Sequence, residues 1–308
     1  MLFTWFRSIV CGSACLCAIV VRVQAASIAL PNSSFESPAT IFVDTRIDAW
    51  QKTAKPDWYD ETGGFLWDQL SGVFANTVMS DPRHIDNMNG TQALYLFAVP
   101  QVGIFQDYDS TDWAHTTATH DFNARFEVGK SYQLIAGVIG GGGGMSNGAT
   151  LLLALYYRLD PTNTVIVAAT NIMHTSSNFP STTHFLDCHA DLPPVQPGDP
   201  WAGKNIGIQL YSTVNPLLSG GYWDVDNIRL ISTRAPALSI ARAGVSNVVL
   251  SLASEPGLSF DILATTNLTL PSSTWTAITT LTNTSGSVAF TNSIDSGPRE
   301  FFRARQLP

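Results

Sequence analysis

The sequence predicts an all-β protein built from β-sandwiches, on three observations. No segment of the 308 residues carries a sustained apolar stripe at helical spacing. Short runs of alternating or wholly apolar residues recur instead, separated by Gly, Pro, Asn and Asp punctuation. Hydrophobic residues make up 45% and charged residues only 13% of the chain, which fits a packed globular protein and excludes a disordered one.

The first element is an address. Met1–Ala25 has Arg7 in a short positive region, an apolar run over Ile9–Val21 and the small-x-small triplet Val23-Gln24-Ala25. This is the form of a cleaved signal peptide, and the apolar run is short for a membrane span. Cys11, Cys15 and Cys17 leave with it, so the mature chain keeps Cys188 alone and has no internal disulfide. Two arginines and no acid leave as well, so the mature protein is more acidic than the −8 of the whole chain. That balance argues against nucleic acid or an anionic membrane as partner and suits cation binding. The expected location is secreted, periplasmic or at the cell surface, with no membrane insertion after cleavage.

Strands follow in order. Ser27–Leu30 leads into PNSSFESP, and an aromatic-rich stretch from Trp50 to Phe74 is broken by Lys55-Pro56-Asp57 and Gly63-Gly64. Gln92–Phe97, Gly103–Tyr108, Tyr132–Ile139, Thr150–Leu159, Thr164–Thr170 and Ile206–Ser212 read as strands. Asp109–His120 and Asp187–Trp201 read as loops, and Gly140–Gly144 as a hairpin tip. The glycine run lacks the Lys-Ser/Thr and the following helix of a phosphate cradle. Gly221–Leu230 (GYWDVDNIRL) reads as a strand with Tyr222, Asp224, Asp226 and Ile228 on one face and Trp223, Val225, Asn227 and Arg229 on the other. Two acids sharing a face inside a strand need a cation, backbone donors or a use. After a boundary at Ser232–Pro236, six short runs at roughly ten-residue spacing have the rhythm of a small sandwich.

With these residues in hand a resemblance can be named. IALPNSSFESP, GIFQ, FEVGKSYQLIAGV, WAGKNIGIQL and GYWDVDNIRL resemble the galactose-binding-like jelly rolls of carbohydrate-binding modules in secreted bacterial proteins. FDILATTNL, Trp275 and EFFRAR resemble small fibronectin- or immunoglobulin-like domains, in which Trp275 and Phe302 would be core. The resemblance implies a jelly roll at 27–232 and a small sandwich at 236–308. It further implies a structural calcium held by Glu36 and Asp226, although Asn227 stands where a second Asp is common.

Function divides three ways. Aromatic residues in loop contexts beside acids (Trp58, Tyr59, Trp67 and Trp113, with Asp57, Asp60, Asp68 and Asp112) suit a platform for a polysaccharide or cell-surface glycan, without catalysis. Alternatively, the same flanking motifs resemble calcium-dependent cyclases of cyanobacterial indole-alkaloid pathways, which makes Asp224 an acid in an apolar cleft, with Tyr95 or Phe105 as a wall. The third reading is a structural extracellular protein without a ligand. No G-x-S-x-G turn occurs, and His115 and His120 lack a third ligand at a telling spacing for zinc.

Overall fold

The computed structural model describes residues 25–108, 122–160, 162–244, 246–293 and 300–307. Residues 1–24 of the predicted signal peptide, Asp112, Trp113, His115 and His120 lie outside them. The chain divides into two compact units, Gln24–Ala237 and Leu238–Pro308.

The first unit is a two-sheet sandwich of β1 (Ala26–Ile28), β2 (Val43–Asp44), β3 (Gln51–Lys52), β4 (Ser71–Ala75), β5 (Gln92–Phe97), β6 (Gly103–Gln106), β7 (Lys130–Gly142), β8 (Thr150–Arg158), β9 (Thr164–Met173), β10 (Leu186–Leu192), β11 (Gly207–Ser212) and β12 (Tyr222–Arg234). The larger sheet runs β10-β7-β12-β5-β4-β2, with β1 also paired to β12; the smaller runs β3-β6-β11-β8-β9. Every named pairing is antiparallel. The core lies between the sheets. Leu94, Leu96, Leu134, Val138, Trp223 and Val225 come from one side, and Ile104, Leu151, Leu153, Leu155, Ile208 and Leu210 from the other. Alternation along each strand sends every second residue inward, which is why these runs read as strands. Lys52 is buried and closes one edge of this unit, donating to Asp68 O and Ser71 O. No described helix is long and apolar enough to cross a membrane.

Three expectations are corrected. The stretch within Asp187–Trp201 read as a loop begins with β10. There Ala190 and Leu192 point into the core while Asp187, His189 and Asp191 face outward. β7 runs on through Gly142, and the chain then crosses to β8 in the other sheet, so the glycine run ends a strand and starts a connection between sheets rather than forming a hairpin tip. β12 does not alternate cleanly: Asn227 adopts φ 51°, and the register shifts between Asp226 and Arg229. This bulge turns Ile228 to the inner face beside Trp223 and Val225, away from Tyr222, Asp224 and Asp226.

The second unit has two three-stranded sheets, β13 (Ala237–Ala243)-β14 (Asn247–Ala253)-β17 (Ser287–Ser293) and β16 (Thr276–Thr282)-β15 (Ser259–Thr265)-β18 (Phe301–Gln306). Its core is Leu252, Leu258 and Phe260. Trp275 and Phe302, expected there, are only half-buried, and the Trp275 indole N–H donates to Leu270 O.

Candidate functional site

The candidate site lies on the outer face of the larger sheet. Strand alternation leaves Tyr222, Asp224 and Asp226 together on that face, with Trp223 and Val225 committed to the core, and the bulge at Asn227 takes Ile228 off it. Asp224 sits opposite Tyr95 of β5 on one side and Ile139 of β7 on the other. Tyr222 sits opposite Phe97, with ring centroids 5.9 Å apart, and Phe97 meets Tyr95 edge-on at 6.1 Å. The Tyr95 hydroxyl donates to Gln69 O at 3.3 Å, and burial, ahead of the charges of Asp68 and Asp44, pushes its pKa up to about 12.

Two crossing segments roof the lower part of this face. Ile85 and Phe185 pack on Ala93 and Ile139, joined by Phe74 and Met88. The segments are tied together by Asp86 N to Thr183 O (3.1 Å) and by a reciprocal pair between the Asn87 side chain and the Phe185 backbone (3.0 and 2.8 Å). The His184 Nδ1 to Asp86 Oδ1 contact at 2.6 Å adds to them.

Asp224 is 8% exposed, and no described residue offers its carboxyl a hydrogen bond or an ion pair. Burial alone pushes its pKa up to about 8. Asp226 is fully buried but differently supplied: Asn89 N donates to Oδ2 at 2.5 Å and Asn227 N to Oδ1 at 2.6 Å. Burial pushes Asp226 up to about 7; these two donors oppose that, and the charge of Glu36 adds to it.

Glu36 meets the same short segment. Thr91 N and Gln92 N donate to Oε1, each at 2.8 Å, and Thr91 Oγ1 donates to Oε2 at 2.8 Å. A Cβ on Gly90, which has φ 105°, would collide with the Glu36 carboxylate, so glycine is required there. The two acids predicted to share a cation thus converge on residues 89–92. Among the described residues neither has a cationic side chain in reach, and no group of three or more His, Cys, Asp or Glu could hold a metal. A cation there would complete its shell from amide and backbone oxygens.

The predicted sugar platform is arranged otherwise. Trp58 is 51% exposed, but Trp67 is buried in the core, with its indole N–H donating to Thr53 O at 2.8 Å. Tyr59 is half-buried between them, 5.8 Å from Trp58 and 5.0 Å from Trp67. One ring of the three faces water, and Trp113 lies outside the described residues. Phe105 is not a wall of the Asp224 site: it belongs to β6 of the other sheet, under the Arg158 guanidinium at 5.7 Å. Cys188 is free and half-buried, and burial pushes its thiol up to about 11, which makes it a poor nucleophile. The site residues not foreseen are Phe97, Asn89 and Gln92. Phe97 had a signal, two positions from Tyr95 on the same strand face; the other two had none.

No family model matches this chain, and no curated protein matches it in sequence. Solved structures do resemble it. A cyclase from Fischerella sp. TAU is 19% identical with a TM-score of 0.47, over 70% of this chain and 100% of that one. The xylan-binding module CBM15 is 9% identical with a TM-score of 0.34, over 69% and 97%. The CBM22-1–GH10 modules of Clostridium thermocellum endo-1,4-β-D-xylanase 10B, complexed with xylohexaose, are 14% identical with a TM-score of 0.32, over 67% and 30%. Likeness at this level assigns neither a ligand nor an activity to this chain.

Proposed function

We propose that the outer face of the larger sheet is a ligand cleft in which Asp224 works as a general acid on a molecule with an apolar face. One observation carries this: a buried carboxyl, cross-strand from Tyr95, that no described residue pairs or hydrogen-bonds. At neutral pH it holds its proton. An apolar ligand on Phe97, Tyr95 and Tyr222 excludes water, and the Asp224 O–H bond breaks as the proton passes to a basic atom or electron-rich carbon of the ligand. The carboxylate left behind stabilises the ligand cation and then removes a proton from it. The cycle therefore closes without oxidant, reductant or co-reactant, as a cyclisation, isomerisation or elimination requires.

Two probes separate this reading from glycan binding. Calorimetric titration with 4-(1H-indol-3-yl)butan-2-one, bound by the Fischerella cyclase, is expected to show binding that weakens about tenfold in Tyr222→Ala or Phe97→Ala, the loss of one aromatic wall. Titration with xylohexaose is expected to show none. The second reading, a non-catalytic glycan-binding protein, is favoured by the exposed Trp58 between Asp57 and Asp60. It stands if xylohexaose binds, Trp58→Ala abolishes that binding and Asp224→Asn leaves it intact.

We further infer that Glu36 and Asp226 hold calcium. Their oxygens are hard donors, and Asp226 is a buried carboxylate without a counter-charge. The ion would neutralise the pair and tie the segment after β1 to the last strand of the sandwich. Chelator-treated protein is expected to gain about 2.7 kcal/mol at a hundredfold excess of calcium over its Kd. Asp226→Asn and Glu36→Gln should each abolish the gain. An unfolding temperature indifferent to calcium in the unmodified protein removes the claim. The signal-peptide form of Met1–Ala25 supports placing the protein outside the cytoplasm.

A further inference from the structure

The glycine run at the end of β7 is held from both sides. On the inner side lies His174. A Cβ on Gly140 would stand 3.0 Å from its Nδ1 and 2.9 Å from the Trp223 ring, and one on Gly141 would stand 3.0 Å from its Cε1. On the outer side lies Tyr222: a methyl on Gly142 would overlap its ring, and one on Gly143 would come within 3.0 Å of it. The absence of side chains lets both rings close on the backbone. The backbone of His174 is itself tied to the end of the connection between β7 and β8, its N–H donating to Ala149 O and its carbonyl accepting from Gly148 N, both at 2.8 Å.

His174 is 7% exposed, tilted against Phe179 (6.1 Å) and edge-on to Trp223 (6.3 Å), and its Nδ1 has no hydrogen-bond partner among the described residues. Among the described residues, what surrounds it is uncharged. Residues Gly140–Gly142 of β7 contribute nothing titratable, and the turn leading to Phe179 contributes Thr175, Ser176, Ser177 and Asn178. From β12 only Trp223 faces it, since Tyr222 and Asp224 lie on the opposite face. Burial alone lowers its pKa from the ordinary histidine value.

We propose that His174 is an acid-sensitive latch: neutral, it clamps the glycine segment at the end of β7 against the core, and protonated, it releases that segment and with it the Tyr222 wall of the cleft. Protonation places a second N–H donor and a charge where no described group accepts either, so the closed form loses ground to an open one. The histidine pKa is lower in the closed form. The closed form is therefore fully favoured above the ordinary value of about 6.5, and loses about tenfold per pH unit below it until the closed-form value is reached. The consequence for the ligand rests on the cleft reading; the latch itself does not.

Hydrogen exchange of the full chain without ligand tests the latch separately. After correction for intrinsic rates, amides of residues 140–145 are expected to exchange faster at pH 5.5 than at 6.5, by up to about fivefold, with β8 and β11 unchanged. His174→Phe, which keeps the stacking and cannot titrate, is expected to remove the acid response; His174→Gln serves if that variant does not fold. An unchanged response in the variant, or none in the unmodified protein, overturns the latch. If neither variant folds, NMR titration of His174 decides, and a pKa at or above 6.5 overturns it too.

Discussion

An Asp224→Asn protein is expected to be more stable than the unmodified one at pH 7, by about 4 kcal/mol in chelator. The figure follows from a folded-state pKa of about 8 against 3.8 for the exposed carboxyl. Because the folded value is raised, the folded state binds more protons than the unfolded chain between these two values. The stability tied to the neutral carboxyl is complete below pH 3.8 and is lost as pH rises through about 8. Asparagine resembles the neutral acid in shape and cannot ionise. The two proteins should therefore match near pH 4 and diverge by roughly 1.4 kcal/mol per pH unit above it. Asp226, raised to about 7, contributes to both curves and cancels in their difference. Urea denaturation at pH 4, 5.5, 7 and 8 reads this directly, and parallel curves would show that Asp224 is already solvated or paired. A residue whose removal strengthens the fold while abolishing protonation of the ligand has been kept for function.

How much of this could be read from the chain alone follows from which interactions are local. β5, β8 and β12 were legible because alternation or a continuous apolar run is written into consecutive residues. That two acids share a face of β12 follows from the same spacing. The bulge was not legible: Asn tolerates φ above zero, but nothing nearby says that Asn227 uses that freedom to turn Ile228 inward. β10 was hidden by Pro and Asp residues that sit after it or point to water. The glycine run looked like a tip because glycine is common in tips. Its reason lies far off, in the rings of His174 and Tyr222 that need its bare backbone. The aromatic residues show the same limit: Trp58 and Trp67 stand in similar company in the sequence, and only the path of the chain makes one a surface ring and the other core. The roof over the cleft joins residues 86 and 87 to residues 183–185, and no periodicity records such a pairing.

Gln92→Leu is expected to cost about 3 kcal/mol and to blunt the calcium response. The Gln92 side chain is 3% exposed and carries three bonds into the loop that presents Glu36. Its Oε1 accepts from Thr40 N at 2.5 Å, and its Nε2 donates to Phe35 O and Pro38 O, each at 2.9 Å. Leucine fills similar volume but leaves these backbone groups unpaired, at about 1–3 kcal/mol each before the loop relaxes. Phe35, fully buried with φ 57° and packed 5.5 Å from Trp50, anchors the loop on its other side, which limits that relaxation. The Gln92 backbone N–H to Glu36 survives the substitution, so the carboxylate is loosened rather than expelled, and calcium affinity should fall without vanishing. Gln92→Glu separates the terms: it keeps an acceptor for Thr40 and loses both donors. It should therefore show a comparable loss at neutral pH that shrinks on acidification, as the carboxyl regains a proton to donate. A loss below about 1 kcal/mol for Gln92→Leu would mean that the loop is held by Phe35 and Trp50 alone, and that Glu36 is presented by packing rather than by this side chain.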